Sequence, residues 1–530
     1  MRDHLEGVTF KFSCENDWAG KDHVKVKGYA FDPLGNFYDG SDLALLFMNI
    51  RSAEELVSLA RSLNGLYCAA GVLEFGAFAL VDRIRSYPLF YTNKTGRFSL
   101  SDNPYDLVNS PVFGTLPTVE FKTAGYTIGK NTLYEDVFQV EAASLILFKN
   151  NVVTITEYFN YTTVNTDKRD YAECKKELKE ILDCAMQRMV ESVKGRPIAI
   201  PLSGGYDSRF ILVWLVNNGY SDIVAFTYGK KNNPDMLLAE KVAKKLNVRW
   251  ICVSYDDIVN ELGQDQFLED YVLYGSNASS MPFFQDYPAV KKIHNEGLFV
   301  SNSVIVPGHS GDFIAGSHLL PRENRKASAQ LAADIFDAHN VYYDISRVDR
   351  SRIVNEYNDF FSSYSTSIPY SVSEWWNFKE RQAKFIVNSC RAYQFFGYNI
   401  RLPFFDVELV EFFRTLPFEY KLYKRIYKEV LEEEYFKPLG VCFAEELQPS
   451  PFDYKKKMLK QCVTRMIPLL KHLSKQPDFH CYIEISRLLF EKYEYQPDSS
   501  YMRGLLSGPI IDWYMNFIKN HNEVLPDKNL

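Results

Sequence analysis

The stretch from Arg196 to Asn218, RPIAIPLSGGYDSRFILVWLVNN, constrains this chain more than any other. The apolar run Pro197 to Leu202 reads as a buried strand, Ser203 to Asp207 as a glycine loop, and the periodicity that follows as an amphipathic helix opening at Ser208. A strand that delivers two glycines and a hydroxyl to the start of a helix makes an anion site, because bare backbone N–H groups and the positive end of the helix dipole point at one spot. Phosphate suits that spot. The loop has neither the GxxxxGK pattern with its closing lysine nor GxGxxG, so two common phosphate-loop signatures are excluded.

Downstream lie a strand, Ile223 to Thr227, a helix from Pro234 to Asn247 and another strand, Arg249 to Val253. Strands alternating with helices predict a parallel sheet covered on both faces, with ligands at the carboxyl ends of its strands near the topological switch. Upstream, short strand-like runs are punctuated by turns: Val24 to Tyr29, Leu66 to Leu73, Ala77 to Arg83, Leu89 to Tyr91, Ser144 to Phe148 and Val152 to Ile155. DPLGN and TNKTG mark hairpin-type connections, and Ala53 to Leu63 is a short amphipathic helix. An α+β domain built mainly from antiparallel sheet follows. The chain turns polar over Tyr161 to Asp170. A long helix then keeps Tyr171, Cys174, Leu178, Ile181, Leu182, Ala185, Met189 and Val193 on one face, which sets a domain boundary near residue 165.

Composition removes several function classes. A net charge of −7 over 530 residues advertises no nucleic-acid surface. Nine scattered cysteines, with no CxxC and no His/Cys cluster at zinc spacing, fit a reducing cytoplasm, and Cys14 and Cys68 read as semi-buried thiols. The amino end lacks a signal-peptide pattern. The apolar stretch Gly65 to Val81, broken by Glu74 and Gly76, reads as a hairpin rather than a membrane span. Lys455 to Lys457, in a helical piece from Tyr454 to Leu473, read as a solvated face.

SGGYDS resembles the PP-loop, SGGxDS, of ATP pyrophosphatases, which cleave ATP between its α- and β-phosphates. The resemblance implies that Leu202, Ser203, Gly204, Gly205 and Ser208 contact the nucleotide, that Asp207 holds magnesium, and that adenine lies against the strand ending Ala225-Phe226-Thr227. SVIVPGHSGDFIAGSH, from Ser303, is similar to the SGEGxDExFGG segment of asparagine synthetases. By position Asp312 takes a second magnesium-binding role, Pro307 and Gly308 approach the α-phosphate, and Gly316 falls on a family glycine. Magnesium suits one or two carboxylates completed by phosphate oxygens and water. His309 replaces a family glutamate, and a neutral histidine can take up the proton of an attacking amine; Phe313 replaces another glutamate; His318 reads as structural.

The third cluster, NIRLPFFDVELVEFFRTLPFEYKLYKRIYKEVL from Asn399, resembles the family's ExRxPFLDxxLVEFxxxLP followed by a basic segment and KxxLR. Lys428 matches the lysine that stabilises the adenylation transition state, with Lys424 and Arg425 as fallback candidates. Asn399 replaces a glutamate and Glu432 an arginine. The phenylalanines of this segment read as core, and Asp406 as a helix cap.

LNGLYCAAGVLEFGAFALVDRIRSYPLFYT, from Leu63, is similar to the glutaminase domain of class II amidotransferases. That reaction needs a cysteine at the mature amino terminus, but Arg2 stands there and Cys14-Glu15-Asn16 does not match the family's start. The expected architecture is therefore an α+β Ntn-hydrolase-like amino-terminal domain, residues 1–165, without its glutaminase reaction. An α/β PP-loop domain of the adenine nucleotide alpha hydrolase-like kind, with a parallel sheet and a helical carboxyl-terminal part, spans 166–530. The implied activity is an ATP- and magnesium-dependent, AMP-forming ligase that joins a small-molecule or peptide carboxylate to ammonia or an amine, with no nucleic-acid or membrane partner. A partner glutaminase and a homodimer are both compatible with it. Two other readings stay open: a cyclase like β-lactam synthetase or a lasso-peptide cyclase, in which an amine of the substrate attacks, and a non-catalytic nucleotide-binding scaffold. Pro321 to Glu380 and the tail from Gly440 match the family poorly, which leaves the acceptor unidentified.

Overall fold

The run VKVKGYAF alternates small and apolar residues with lysines, and it forms the strand around which the amino-terminal part is built. In the computed structural model, which describes residues 7–12, 18–21, 23–94, 96–109, 111–163, 169–231, 233–443, 477–497 and 506–524, this strand is β3 (Val24–Phe31). It follows β1 (Val8–Lys11) and β2 (Ala19–Lys21) and precedes β4 (Phe37–Asp39), α1 (Gly40–Met48) and α2 (Ala53–Ser62). Strands β5 (Asn64–Leu73), β6 (Gly76–Val81), β7 (Phe90–Lys94) and β8 (Arg97–Ser101), helix α3 (Thr115–Ala124), and strands β9 (Phe138–Gln139), β10 (Ser144–Lys149) and β11 (Val152–Glu157) complete this part. A seven-stranded sheet runs β11-β10-β6-β5-β3-β2, with β4 added on β3, and all its pairs are antiparallel. A four-stranded sheet runs β1-β8-β7-β9, with β1 and β8 parallel.

The expected strands, both hairpin connections and the Gly65–Val81 hairpin are all present. The short helix is present too, capped by Ser52, which accepts from Glu55 N. Cys68 is a correction. It sits on the core face of β5 and is fully buried, so its thiol is pushed well up by desolvation. Arg2, Cys14, the boundary near residue 165 and the Tyr454–Leu473 piece with its lysines lie outside the described residues.

The second part opens with α4 (Tyr171–Val193), held at its start by a reciprocal capping box between Asp170 and Glu173. Then come β12 (Ile198–Pro201), α5 (Tyr206–Asn217), β13 (Ile223–Gly229), α6 (Pro234–Leu246), β14 (Arg249–Ser254), β15 (Val304–Ile305) and β16 (Asn399–Ile400). These five strands form one wholly parallel sheet in the order β14-β13-β12-β15-β16. The chain builds outward from β12 to β14, then returns to the other side of β12, so the switch point lies between β12 and β15. Helix α5 begins at Tyr206 with Gly205 as its cap, two residues before the expected Ser208, which puts Asp207 inside the first turn.

Helices Ser328–His339, Arg347–Ser362 and Pro369–Trp376 gather a separate core around Tyr126, Ile353, Tyr357 and Trp376. Asp406 caps its helix through Glu408 N at 3.1 Å. It also takes a bidentate pair from Arg188 of α4 and accepts from Asn64 of β5, tying the two parts together. Among the described residues no helix is long and apolar enough to cross a membrane.

Candidate active site

The loops leaving β12 and β15 face each other across the switch point. After β12, Ser203 N donates to Ser208 Oγ at 3.1 Å, and Gly205 N donates to Ser203 Oγ at 3.2 Å, which curls the SGGYDS loop around the first turn of α5. Arg209, fully buried, grips the loop from behind by donating to the Gly204 carbonyl at 2.7 Å and to the Val441 carbonyl at 3.0 Å. After β15, Pro307 and Gly308 run against the loop, and a short helix, Gly311–Ile314, carries Asp312.

These two loops lock through one carboxylate. Asp207 Oδ2 accepts from Asp312 N at 2.8 Å, and Oδ1 accepts from the hydroxyl of Tyr427 at 2.9 Å. A side chain at Gly311 would meet Asp207 Oδ2 at 2.9 Å and the Tyr427 hydroxyl at the same distance, so only glycine allows this approach. Burial, with the nearby Asp312 charge adding to it, pushes the Asp207 carboxyl up to about 7, while Tyr427 and Lys424 oppose the shift. Burial strips water from the ionised form and Asp312 places a like charge beside it, and both disfavour the carboxylate. Among the described residues no third acid, histidine or cysteine joins Asp207 and Asp312 to form a protein-only metal set. A divalent cation there would have to complete its shell with ligand oxygens and water, which is the habit of magnesium. The donor set fits magnesium on those terms.

The cleft beside this lock has a volume of about 330 Å³ and is lined by Ser203, Gly205, Asp207, Ser208, Pro307, Gly308, His309 and Asp312 from the two loops. It thus gathers eight of the twelve residues singled out from the sequence. Gly204 lies just outside it, against Asp235 of α6. Leu202 and Thr227 are also behind it: the Thr227 hydroxyl donates to the Leu202 carbonyl at 2.7 Å, and the lining residue of β13 is Tyr228. Lys424, which sequence matching ranked as a fallback, is the lysine of the cleft wall. Lys428 sits one helical turn further on, half-buried. Its ammonium is held below the usual lysine range by burial and by Lys424, against the pull of Glu432. Tyr423 and Lys424 both adopt left-handed backbone, which turns the chain sharply into the helix Arg425–Val430.

Glu432, which stands where an arginine is usual in the resembled pattern, accepts from the Tyr206 hydroxyl at 2.5 Å. The variable residue of the SGGYDS loop is thereby anchored to the third cluster.

His309 lines the cleft, with Nε2 2.9 Å from Ser389 Oγ. The Ser389 hydroxyl has one hydrogen, and at 2.8 Å from the Ile386 carbonyl that hydrogen goes to the carbonyl. Ser389 can therefore only accept from the ring, which assigns the proton to Nε2 and leaves the lone pair on Nδ1. Burial lowers the imidazole to about 4, with Asp312 opposing, so it is neutral at pH 7. His318 lies elsewhere, stacked on Phe313 at 4.7 Å and 3.4 Å from the buried Glu374, and takes no part in the cleft.

Sequence reasoning missed Tyr427, Tyr228, Gln285, Tyr393 and Ser389. Tyr228 and Tyr393 both donate to the buried Asp286, which fixes one wall of the cleft. Tyr427 directly precedes Lys428 in the third cluster, yet nothing in its spacing says that it turns toward Asp207, 220 residues away.

Residues 177–435 match the asparagine synthase family model. A Methanocaldococcus jannaschii protein provisionally designated asparagine synthetase (glutamine-hydrolyzing) 1 is 22% identical over 289 residues, which is 52% of this chain and 42% of that relative. The chain thus spans less than half the length of the curated relative it matches. Solved structures with local similarity include an NH3-dependent NAD synthetase from Campylobacter jejuni, 12% identical over 39% of this chain and 94% of that one, with a TM-score of 0.20. An NMN synthetase from Francisella tularensis is 13% identical over 49% of this chain and 97% of that one, with a TM-score of 0.18. At such scores the likeness carries no weight, and the fold stands on the five-stranded parallel sheet itself.

Proposed function

We propose that this chain, whose residues 177–435 carry an asparagine synthase domain, is an ATP-dependent, AMP-forming carbon–nitrogen ligase. The observation that supports it best is the meeting of Asp207 and Asp312 from two strand-end loops at the switch point, beside a glycine loop on a helix N-terminus. In this reading a substrate carboxylate attacks the α-phosphorus of ATP, and the bond to the bridging oxygen breaks. The departing pyrophosphate settles on the N–H groups of Ser203 to Ser208 and the first turn of α5. Lys424, with Lys428 behind it, meets the negative charge that builds on the phosphate oxygens. Asp207 and Asp312 would hold magnesium, which when bound neutralises the leaving pyrophosphate. A nitrogen nucleophile then attacks the acyl carbon, the acyl–phosphate bond breaks, and AMP leaves. We assign the proton lost by the amine to Nδ1 of His309, whose lowered basicity keeps it free beforehand and lets it pass the proton on.

Residues up to about 165 form, on this proposal, an Ntn-hydrolase-like domain that has lost glutaminase chemistry, and the remainder forms the ligase, working in the cytoplasm. The test is product analysis with ATP and magnesium in three mixtures: aspartate plus ammonium, aspartate plus glutamine, and a peptide or other carboxylate bearing its own amine. AMP and pyrophosphate should appear in at least one, and Asp207→Asn and Asp312→Asn should each lower the yield by about 10²-fold or more. Release of ADP and phosphate instead, or bound ATP left intact in every mixture, would sink the proposal.

A further inference from the structure

A second cavity, of about 540 Å³, lies where β3 meets β16 and the end of α4, and it shares no lining residue with the nucleotide cleft. Among the described residues its walls carry four cations, Lys27, Lys194, Arg196 and Arg401, against one acid, Asp39, and Lys27 has a partner of its own. Asp39 is already paired with Lys194 at 2.8 Å. Arg401 is buried and donates only to neutral acceptors, Ser192 Oγ at 2.7 Å and the carbonyls of Ile400 and Ser192 at 2.8 Å, with its plane 4.0 Å above the Tyr29 ring. Arg196, half-buried, donates through Nε to the Val193 carbonyl at 2.9 Å. Among the described residues neither arginine has an acidic partner within ion-pair distance. They are close enough to repel, since Arg401 adds to burial in lowering the Arg196 guanidinium.

A third feature is independent of charge. The side-chain amide of Gln394, on the same wall, is shut off from solvent, yet among the described residues neither its oxygen nor its nitrogen has a hydrogen-bond partner. Two guanidiniums drawn from water without counter-charge and a buried amide without partners are both unfavourable unless something fills the cavity and answers them. Water in the cavity can hydrogen-bond the amide and hydrate the guanidiniums, but it brings no counter-charge.

We infer that this cavity binds a small oxyanion, a carboxylate or a phosphate, held by Arg196 and hydrogen-bonded by Gln394. Arg196 is the donor with capacity to turn inward, because its terminal nitrogens have no partner among the described residues. Arg401, with its donors committed to the main chain and Ser192, contributes charge and a rigid floor. The volume admits a small organic acid with room for water. The inference is independent of the ligase reading.

The experiment is calorimetric titration of the full chain with inorganic phosphate and, separately, with succinate, with and without a saturating non-hydrolysable ATP analogue. The analogue removes anion binding at the SGGYDS loop from the signal. One site should persist with the analogue present, and the tighter probe tells phosphate from carboxylate. Arg196→Gln should weaken that site at least tenfold and Gln394→Leu several-fold. Without anion, Arg196→Gln should melt no lower than the unmodified chain, because a repelled cation has gone, and its Tm should no longer rise with added anion. A purely structural arginine would lower Tm and leave the anion response intact, which would overturn the inference. So would the absence of any site once the analogue is bound, or wild-type affinity in both variants.

Discussion

Gly308 offers the sharpest test of how the two loops cooperate. It lacks the left-handed backbone that would make glycine obligatory, so Gly308→Ala adds a single methyl and nothing else. That Cβ would lie 2.5 Å from Ser208 N, 2.9 Å from Asp207 Cβ and 3.0 Å from the Asp207 carbonyl carbon. Ordinary contacts sit at about 3.5–4.0 Å, so the two loops must part by roughly 1 Å. No rotamer relieves the clash, because Ser208 N and the Asp207 carbonyl carbon are backbone. Overpacking of this kind costs about 1–3 kcal/mol of stability. A displacement of about 1 Å between groups that must act together costs about 10²-fold in rate. The assays are thermal unfolding and pyrophosphate release. The control is Gly263→Ala, whose nearest neighbour would be Leu488 Cδ2 at an unstrained 3.7 Å. A Gly308→Ala protein that releases pyrophosphate at the unmodified rate would refute the claim that the β12 and β15 loops form one reacting unit.

Lys424→Met should lower pyrophosphate release at least tenfold and Lys428→Met less, since only Lys424 lines the cleft; steady-state rates showing the reverse order would return the role to Lys428. Burial lowers His339, stacked on Trp376, to about 3. The unfolded chain therefore takes up its proton below about pH 6.5 while the folded chain does not, and stability falls with acidification by up to about 1.4 kcal/mol per pH unit. The stability advantage of the unmodified chain over His339→Gln should accordingly shrink between pH 7 and pH 5 in denaturant titrations; parallel curves would contradict it. Lys421 and Glu374 pair with side chains 1% and 2% exposed. Lys421→Met strands a buried carboxylate and should destabilise by about 3–5 kcal/mol, with most of that recovered when Glu374→Leu is added; an additive double variant would show that the pair does not act as a unit.

The strand, loop and helix at 196–218 were legible because all their information is local: an apolar run, two glycines, then helical periodicity. The helix start was misplaced by two residues because Tyr206 and Asp207 look like loop chemistry. In the structure Asp207 is the acid of the first turn, where the helix dipole favours it. Helix α1, GSDLALLFM, escaped notice because it is apolar almost all round and so shows no single face, and α3 because Pro117 and its threonines blur the periodicity. Asp207 and Asp312 could be paired from the sequence only through a resemblance, since no local rule relates residues 105 positions apart. Tyr427 and Lys424 needed the left-handed turn at Tyr423 and Lys424, which neither residue type announces. The cavity between Arg196 and Arg401 lay beyond sequence reading for the same reason: each arginine looks ordinary until β3, the end of α4 and β16 are brought together.

The lock on Asp207 also sets a timetable for synthesis. Its carboxylate is closed by Tyr427, 220 residues further along, and β16, the last strand of its sheet, itself begins at Asn399, 192 positions after Asp207. At translation rates of about 5–20 residues per second, the loop waits roughly 10–40 s for that tyrosine. The two amino-terminal sheets have all their strands by Glu157 and need not wait. The candidate cleft is therefore a late product of the nascent chain. A chain arrested before Tyr427 emerges would display an amino-terminal half with all its described strands beside a glycine loop whose Asp207 still lacks that tyrosine.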